Sequence, residues 1–186
     1  MNQQRNKVRI IGGQYRRRLL PFPDAEGLRP TPDRVRETVF NWLGQELHGK
    51  RCLDLFAGSG ALGFEAASRA ATHVVMVEKS RKVAESLRAN RQLLAAAAIE
   101  VVPMDALLYL KSCREQFDII FADPPYDSSL LQQVLPLLQP LLATDGVLYF
   151  EARHWPESLP GWQIVKQDKA GMVHYALIRP IAEESL

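Results

Sequence analysis

The residues best suited to chemistry lie in "FDIIFADPPYDSS", 117 to 129, where an apolar, β-favouring run stops at Asp123 and is followed by Pro124, Pro125 and Tyr126. Prolines cannot donate to a sheet, so the strand is expected to end there. An acid, two rigid residues and an aromatic at the mouth of a buried strand suit the presentation of a planar amino group. The lone pair of an exocyclic amine is delocalised into its ring. The Asp123 carboxylate and a carbonyl held by Pro124 can accept both amino hydrogens, which favours the nucleophilic form and stabilises positive charge developing on nitrogen. Each proline fixes its own φ and biases the residue before it toward an extended conformation. Tyr126 can stack on a base, an interaction of roughly 1–3 kcal/mol in nucleic-acid complexes. The alternative is a turn that merely ends a strand.

Three further acids and a glycine loop bear on that choice. "DLFAGSGALG" holds Gly58-x-Gly60-x-x-Gly63, formally a dinucleotide fingerprint and weak by itself. Glycines after a strand let the backbone turn tightly and admit a ligand near a helix N-terminus. Asp54, four residues before Gly58, argues against a pyrophosphate. It suits the ammonium and sulfonium of S-adenosylmethionine, or else simply holds loop amides. Glu78 ends the second strand, where an acid can take both ribose hydroxyls of an adenosine. Asp105 ends the third, placed to accept from an adenine amino group with the Ala106 amide alongside, or to cap a helix. Ligands in open α/β sheets bind along that carboxyl edge, so four acids on successive strands point to a methyl donor facing the Asp123 clamp.

These residues need a parallel sheet to bring them together. Strand-like segments at 51–58, 72–80, 99–106, 117–125 and 146–153 alternate with helix-like segments at 59–70, 81–97, 107–115 and 128–142. The pattern predicts an α/β doubly wound sheet with right-handed crossovers. "WQIVKQDKAGMVHYALIRP" then reads as two strands joined around Ala170-Gly171, giving seven strands, mostly parallel, that end in an antiparallel hairpin. That ending is expected of the class I methyltransferase type. Upstream, "KVRIIGGQYRRRLLPFP" is expected to form a β-hairpin around Gly12-Gly13. "TPDRVRETVFNWLGQEL" is expected to be a helix with Thr31 as N-cap and Pro32 at its first position, packing through Val35, Val39, Trp42 and Leu43. The expected organisation is one domain over 1–186, with a basic hairpin-and-helix extension at 1–48 and a catalytic sheet at 49–180.

A length of 186 residues, 47% hydrophobic and 24% charged, fits one ordinary globular core. Cys52 and Cys113 show no metal-like spacing, and no metal site is expected. No stretch has the length or apolarity of a signal peptide or membrane span, so a cytoplasmic location is expected. Net charge is +2, yet residues 1 to 23 carry six positive charges and no acid, which leaves the rest of the chain at −4. A basic segment on a mildly acidic body predicts contact with a polyanion, nucleic acid first; a solvated arm is the plainer reading.

In order along the chain, "IIGGQYRRRLL", "GLRPTPDRVRETVFNWL", "CLDLFAGSGALGFEAASR" and "DPPY" resemble the RsmD family, the bacterial 16S rRNA guanine-N2 methyltransferases, over about residues 8 to 180. The resemblance implies S-adenosylmethionine as cofactor and a guanine of 16S rRNA as substrate, in an assembled 30S subunit, with the protein acting as a monomer. It implies that Asp54, Ala57, Gly58, Ser59, Gly60, Glu78, Lys79, Asp105, Ala106 and Thr31 hold the cofactor. Asp123, Pro124 and Tyr126 would present the guanine amine. Tyr15, Arg16, Arg17, Arg18, Arg29 and Arg34 would meet RNA, with an Arg34–Glu37 ion pair as the plainer role for Arg34. Two other functions stay open: adenine-N6 methylation of DNA or RNA, and a non-catalytic RNA-binding assembly factor.

Overall fold

The computed structural model describes residues 6–125 and 129–182. The chain opens with a small antiparallel pair, β1 (Lys7–Arg9) and β2 (Leu19–Pro21), followed by α1 (Asp33–Leu43). Then come β3 (Arg51–Asp54), α2 (Ala61–Ser68), β4 (His73–Val77), α3 (Arg81–Leu94), β5 (Ile99–Val102), α4 (Ala106–Ser112), β6 (Phe117–Ala122) and α5 (Leu130–Leu138). A 3₁₀ turn leads into β7 (Leu142–Ala152), and β8 (Trp162–Ala170) and β9 (Val173–Pro180) close the fold as a hairpin. The seven strands lie in the order β5-β4-β3-β6-β7-β9-β8, with β9 antiparallel to both neighbours.

The strands are nearly continuous runs of apolar and β-branched residues, as a sheet covered on both faces requires. Alternation sorts the side chains. Cys52, Val74, Ile119 and Phe121 face α1, α2 and α3, whereas Leu53, Val75, Ile120 and Leu148 face α4 and α5. Both cysteines are free and buried, as small core residues. Order reverses between β3 and β6, which lie side by side and run parallel. At that point the two crossovers depart to opposite sides and leave a crevice at the carboxyl ends of the strands.

Two expectations about α1 need correction. Pro32, not Thr31, occupies the N-cap, with extended backbone (φ −56°, ψ 150°), and no side chain caps the helix. The Thr31 hydroxyl is directed into the protein and donates to Glu151 instead. Arg36, on what reads as the polar side of the helix, is 1% exposed. It belongs to an ionic cluster that fastens the N-terminal hairpin to α2. Its guanidinium donates to the carbonyls of Thr31 (3.1 Å) and Arg9 (2.7 Å) and pairs with Asp33 (2.6 Å) and Glu65 (3.4 Å). Glu65 also accepts from the amides of Ile11 and Gly12 and from Arg69, each at 2.9 Å. Gly13, at φ +76°, is pressed so closely on α2 that an added Cβ would lie 1.9 Å from the Ser68 carbonyl oxygen. Only glycine fits that turn.

Candidate active site

A cleft at the carboxyl ends of β3, β4 and β6 encloses about 1170 Å³, solvent at its mouth included. Its walls bring together Thr31, Asp54, Ala57, Gly58, Ser59, Glu78, Lys79, Asp105, Ala106, Asp123 and Pro124, with Arg29 on the segment that crosses above. Gly60 stands just behind the wall as the left-handed N-cap of α2 (φ +82°), where a Cβ would strike the Phe64 ring at 2.4 Å. Tyr126 lies outside the described residues. Tyr15, Arg16, Arg17 and Arg18 belong to the turn between β1 and β2, away from the cleft lining; Tyr15 is half-buried and the three arginines are exposed. Arg34 is exposed on α1 and, among the described residues, makes no ion pair with Glu37.

Each acid has local work that the sequence left open. Asp54, 2% exposed at the end of β3, accepts from the Gly63 amide at 3.0 Å. Burial pushes its carboxyl up to about 7, against the Gly63 hydrogen bond and with help from Glu78 and Glu151. Glu78 holds the loop from both sides, accepting from Gly58 N (2.9 Å) and Ser80 N (3.0 Å). Asp105 caps α4, accepting from the Leu107 and Leu108 amides. All three therefore hold loop or helix amides while also lining the cleft, so the plain and the ligand-binding readings coexist at each.

Asp123 follows β6 and keeps one edge open to the cleft. Burial, then Glu151 beside it, pushes its carboxyl well above the usual carboxylate range. Glu151 and Tyr149 were not singled out by sequence reasoning. They lie two residues apart on β7 and so share a face. Glu151, 3% exposed, accepts from the Tyr149 hydroxyl at 2.6 Å and from the Thr31 hydroxyl at 2.9 Å. The signal was available: Glu151 is the acid near the end of the fifth strand, on the same edge as the other four.

The cleft fits a cationic, nucleoside-bearing methyl donor in the chemistry of its walls. It offers carboxylates and few cations, and at Gly58 the backbone is left-handed (φ +53°), a conformation that a side chain would strain. Strand order, the antiparallel β9 and an acid-rimmed crevice at the switch point together define a class I methyltransferase fold. A precorrin-6y C5,15-methyltransferase from Geobacter metallireducens shares it at a TM-score of 0.68 and 17% identity, over 84% of this chain and 92% of that one. The family model "Conserved hypothetical protein 95" matches residues 8–179. Ribosomal RNA small subunit methyltransferase D of Escherichia coli K12 is 41% identical over 95% of this chain and 92% of its own length. The solved structure of yhhF from Escherichia coli superposes with a TM-score of 0.86 at 41% identity, covering 96% of this chain and all of that one. The chain belongs to this family, that of the small-subunit rRNA methyltransferases D.

Proposed function

We propose that this protein transfers a methyl group from S-adenosylmethionine to the exocyclic N2 amine of a guanine in small-subunit rRNA. The observation that carries the reading is the juxtaposition of Asp123 and Pro124 with the acid-lined cleft at the β3/β6 switch point. Bound in that cleft, the cofactor supplies an electrophilic methyl carbon. Asp54 would meet its positive charge, Glu78 would hold its ribose hydroxyls, and Asp105 with the Ala106 amide would hold its adenine edge. Asp123 and the Pro124 segment hold the target amine in line, and alignment of this kind supplies much of the acceleration. Guanine N2 and the assembled 30S subunit follow from the family resemblance, and action as a monomer is part of the same proposal. Arg16, Arg17 and Arg18 extend from a docked hairpin and suit RNA phosphates, as do Arg29 in the cleft lining and the exposed Arg34 on α1. Among the described residues no helix is long and apolar enough to cross a membrane.

The test is to incubate the protein with labelled S-adenosylmethionine and either undermethylated 30S subunits or naked 16S rRNA, followed by mass spectrometry of the digested nucleosides. N2-methylguanine at one position is expected. Absence of label in both substrates would sink the reading, and N6-methyladenine would replace it with an adenine methyltransferase. Asp123→Ala is expected to lower methyl transfer about 10²–10³-fold, the usual effect of losing one electrostatic stabiliser, while cofactor binding persists.

A further inference from the structure

Glu151 is a buried carboxyl that amine presentation by Asp123 and Pro124 does not by itself require. It is 3% exposed, and no cation pairs with it among the described residues. Its partners are two hydroxyls, from Tyr149 at 2.6 Å and Thr31 at 2.9 Å. Asp123 and Glu151 each follow directly on the register pair Ala122–Phe150 of the parallel strands β6 and β7, which sets the two carboxyls side by side. Thr31 is itself fixed, because its carbonyl accepts from the buried Arg36 at 3.1 Å. Glu151 is thus held from several directions and aimed at the residue that meets the substrate.

Two carboxyls in contact, one buried and one half-buried, do not readily both ionise, and the pair keeps one proton between them. The hydroxyls of Tyr149 and Thr31 favour the charged form of Glu151. Burial pushes both carboxyls upward and Thr31 favours the charged form of each, so the Tyr149 hydroxyl donated to Glu151 is what tips the shared proton toward Asp123. The other groups facing the pair have the same sign or are neutral: Asp54 from β3 and Tyr149 from β7, with Glu78 of the β4 edge acting on Asp54.

We propose that Glu151 is the positioning residue of the methyl-acceptor site: it shares one proton with Asp123, so that one Asp123 oxygen is committed to Glu151 and the other faces the cleft as a fixed, carbonyl-like acceptor for the incoming amino group. The inference rests on the methyltransferase reading above. It explains why an acid serves a role that needs only an acceptor oxygen. With its hydroxyl donated backwards, Asp123 cannot rotate freely or present two equivalent oxygens. The pair carries a single negative charge, enough to favour the positive charge that develops on nitrogen.

The test uses Glu151→Gln and Glu151→Ala in the full-length protein, with two readouts. Infrared difference spectroscopy of the wild type is expected to show one protonated carboxylic acid persisting at pH 8, a band that both variants lose. Glu151→Ala is expected to lower kcat about 10²-fold with little change in KM for the methyl donor, as misplacement of a positioned group does. Glu151→Gln, which can still hydrogen-bond to Asp123, is expected to recover most of that loss. Its kcat–pH profile should lack the alkaline limb that the wild type shows when the shared proton leaves. The inference is overturned if the wild type has no such band, or if the glutamine variant keeps the wild-type pH profile. Because the spectroscopic measurement needs no substrate, it tests the pair even if the wild type transfers no methyl group, an outcome that would count against the proposed function alone.

Discussion

Beneath the N-terminal hairpin, Arg36, Glu65 and Arg69 are buried as opposite-charge partners, and Glu65 accepts four hydrogen bonds. At the cleft, Asp54 and, behind its wall, Glu151 are buried and Asp123 is half-buried, and among the described residues no cation is paired to any of them. Glu65 meets two guanidinium groups and two backbone amides and is shut off from solvent. Asp54 meets one amide, too little to offset the burial that raises its carboxyl to about 7. The first cluster is saturated and serves attachment. The second carries unspent negative charge that is costly in the ligand-free protein and useful when a cationic donor arrives. Removing a carboxylate should therefore have opposite consequences in the two places.

The largest effect is expected at Glu65. Glu65→Ala strips Arg36 and Arg69 of their shared partner and leaves the Ile11 and Gly12 amides unsatisfied. Breaking a buried pair in this way costs about 3–5 kcal/mol, to be measured by urea denaturation. A loss under about 1 kcal/mol would remove the contrast. The second effect has the opposite sign. A carboxyl raised from 3.8 to about 7 favours the fold below the unfolded value and loses that contribution as pH rises through about 7. The ceiling is about 4 kcal/mol at 1.36 kcal/mol per pKa unit, and relaxation of the site is expected to halve it. Asp54→Asn keeps an oxygen for the Gly63 amide and removes the titration. It should stabilise the ligand-free protein by about 2 kcal/mol at pH 8 and far less at pH 5, in thermal unfolding at each pH, while weakening cofactor binding. The smallest effect belongs to the hairpin surface. Changing Arg16, Arg17 and Arg18 together to Ala should leave the melting temperature within a degree or two. It should flatten the salt dependence of RNA binding by about 0.7–0.9 in log–log slope for each phosphate no longer neutralised.

Much of this is legible in the chain itself. Near-continuous apolar strands alternating with amphipathic helices specify a doubly wound sheet, and the "WQIVKQDKAGMVHYALIRP" hairpin specifies its antiparallel end. The edge acids are legible because four of them end successive strands, although three also hold local amides. What escapes are partnerships across long sequence separations. Arg36 looks like a surface residue until Glu65, 29 positions away, is known to face it. Thr31 carries every local signature of an N-cap, but the hydroxyl goes to Glu151, 120 residues on, because a buried carboxyl is a stronger attractor than solvent-exposed helix amides. Glu151 escapes because its main partners, Thr31 and Asp123, lie far away in the sequence and no glycine loop follows its strand as one follows Asp54.

The docking of the hairpin has a practical consequence. Val8, Ile10 and Leu20 are core residues, Gly13 abuts Ser68, and the Arg9 carbonyl is bound by Arg36. A protein shortened to begin at residue 24 would lose part of its interior together with its basic residues, and would lay Glu65 open to water. Such a truncation would report on folding and RNA affinity at once. The same packing should make the segment from Lys7 to Pro21 resistant to trypsin in the native state despite its run of arginines, because a protease needs about the freedom of an unfolded strand to engage its substrate.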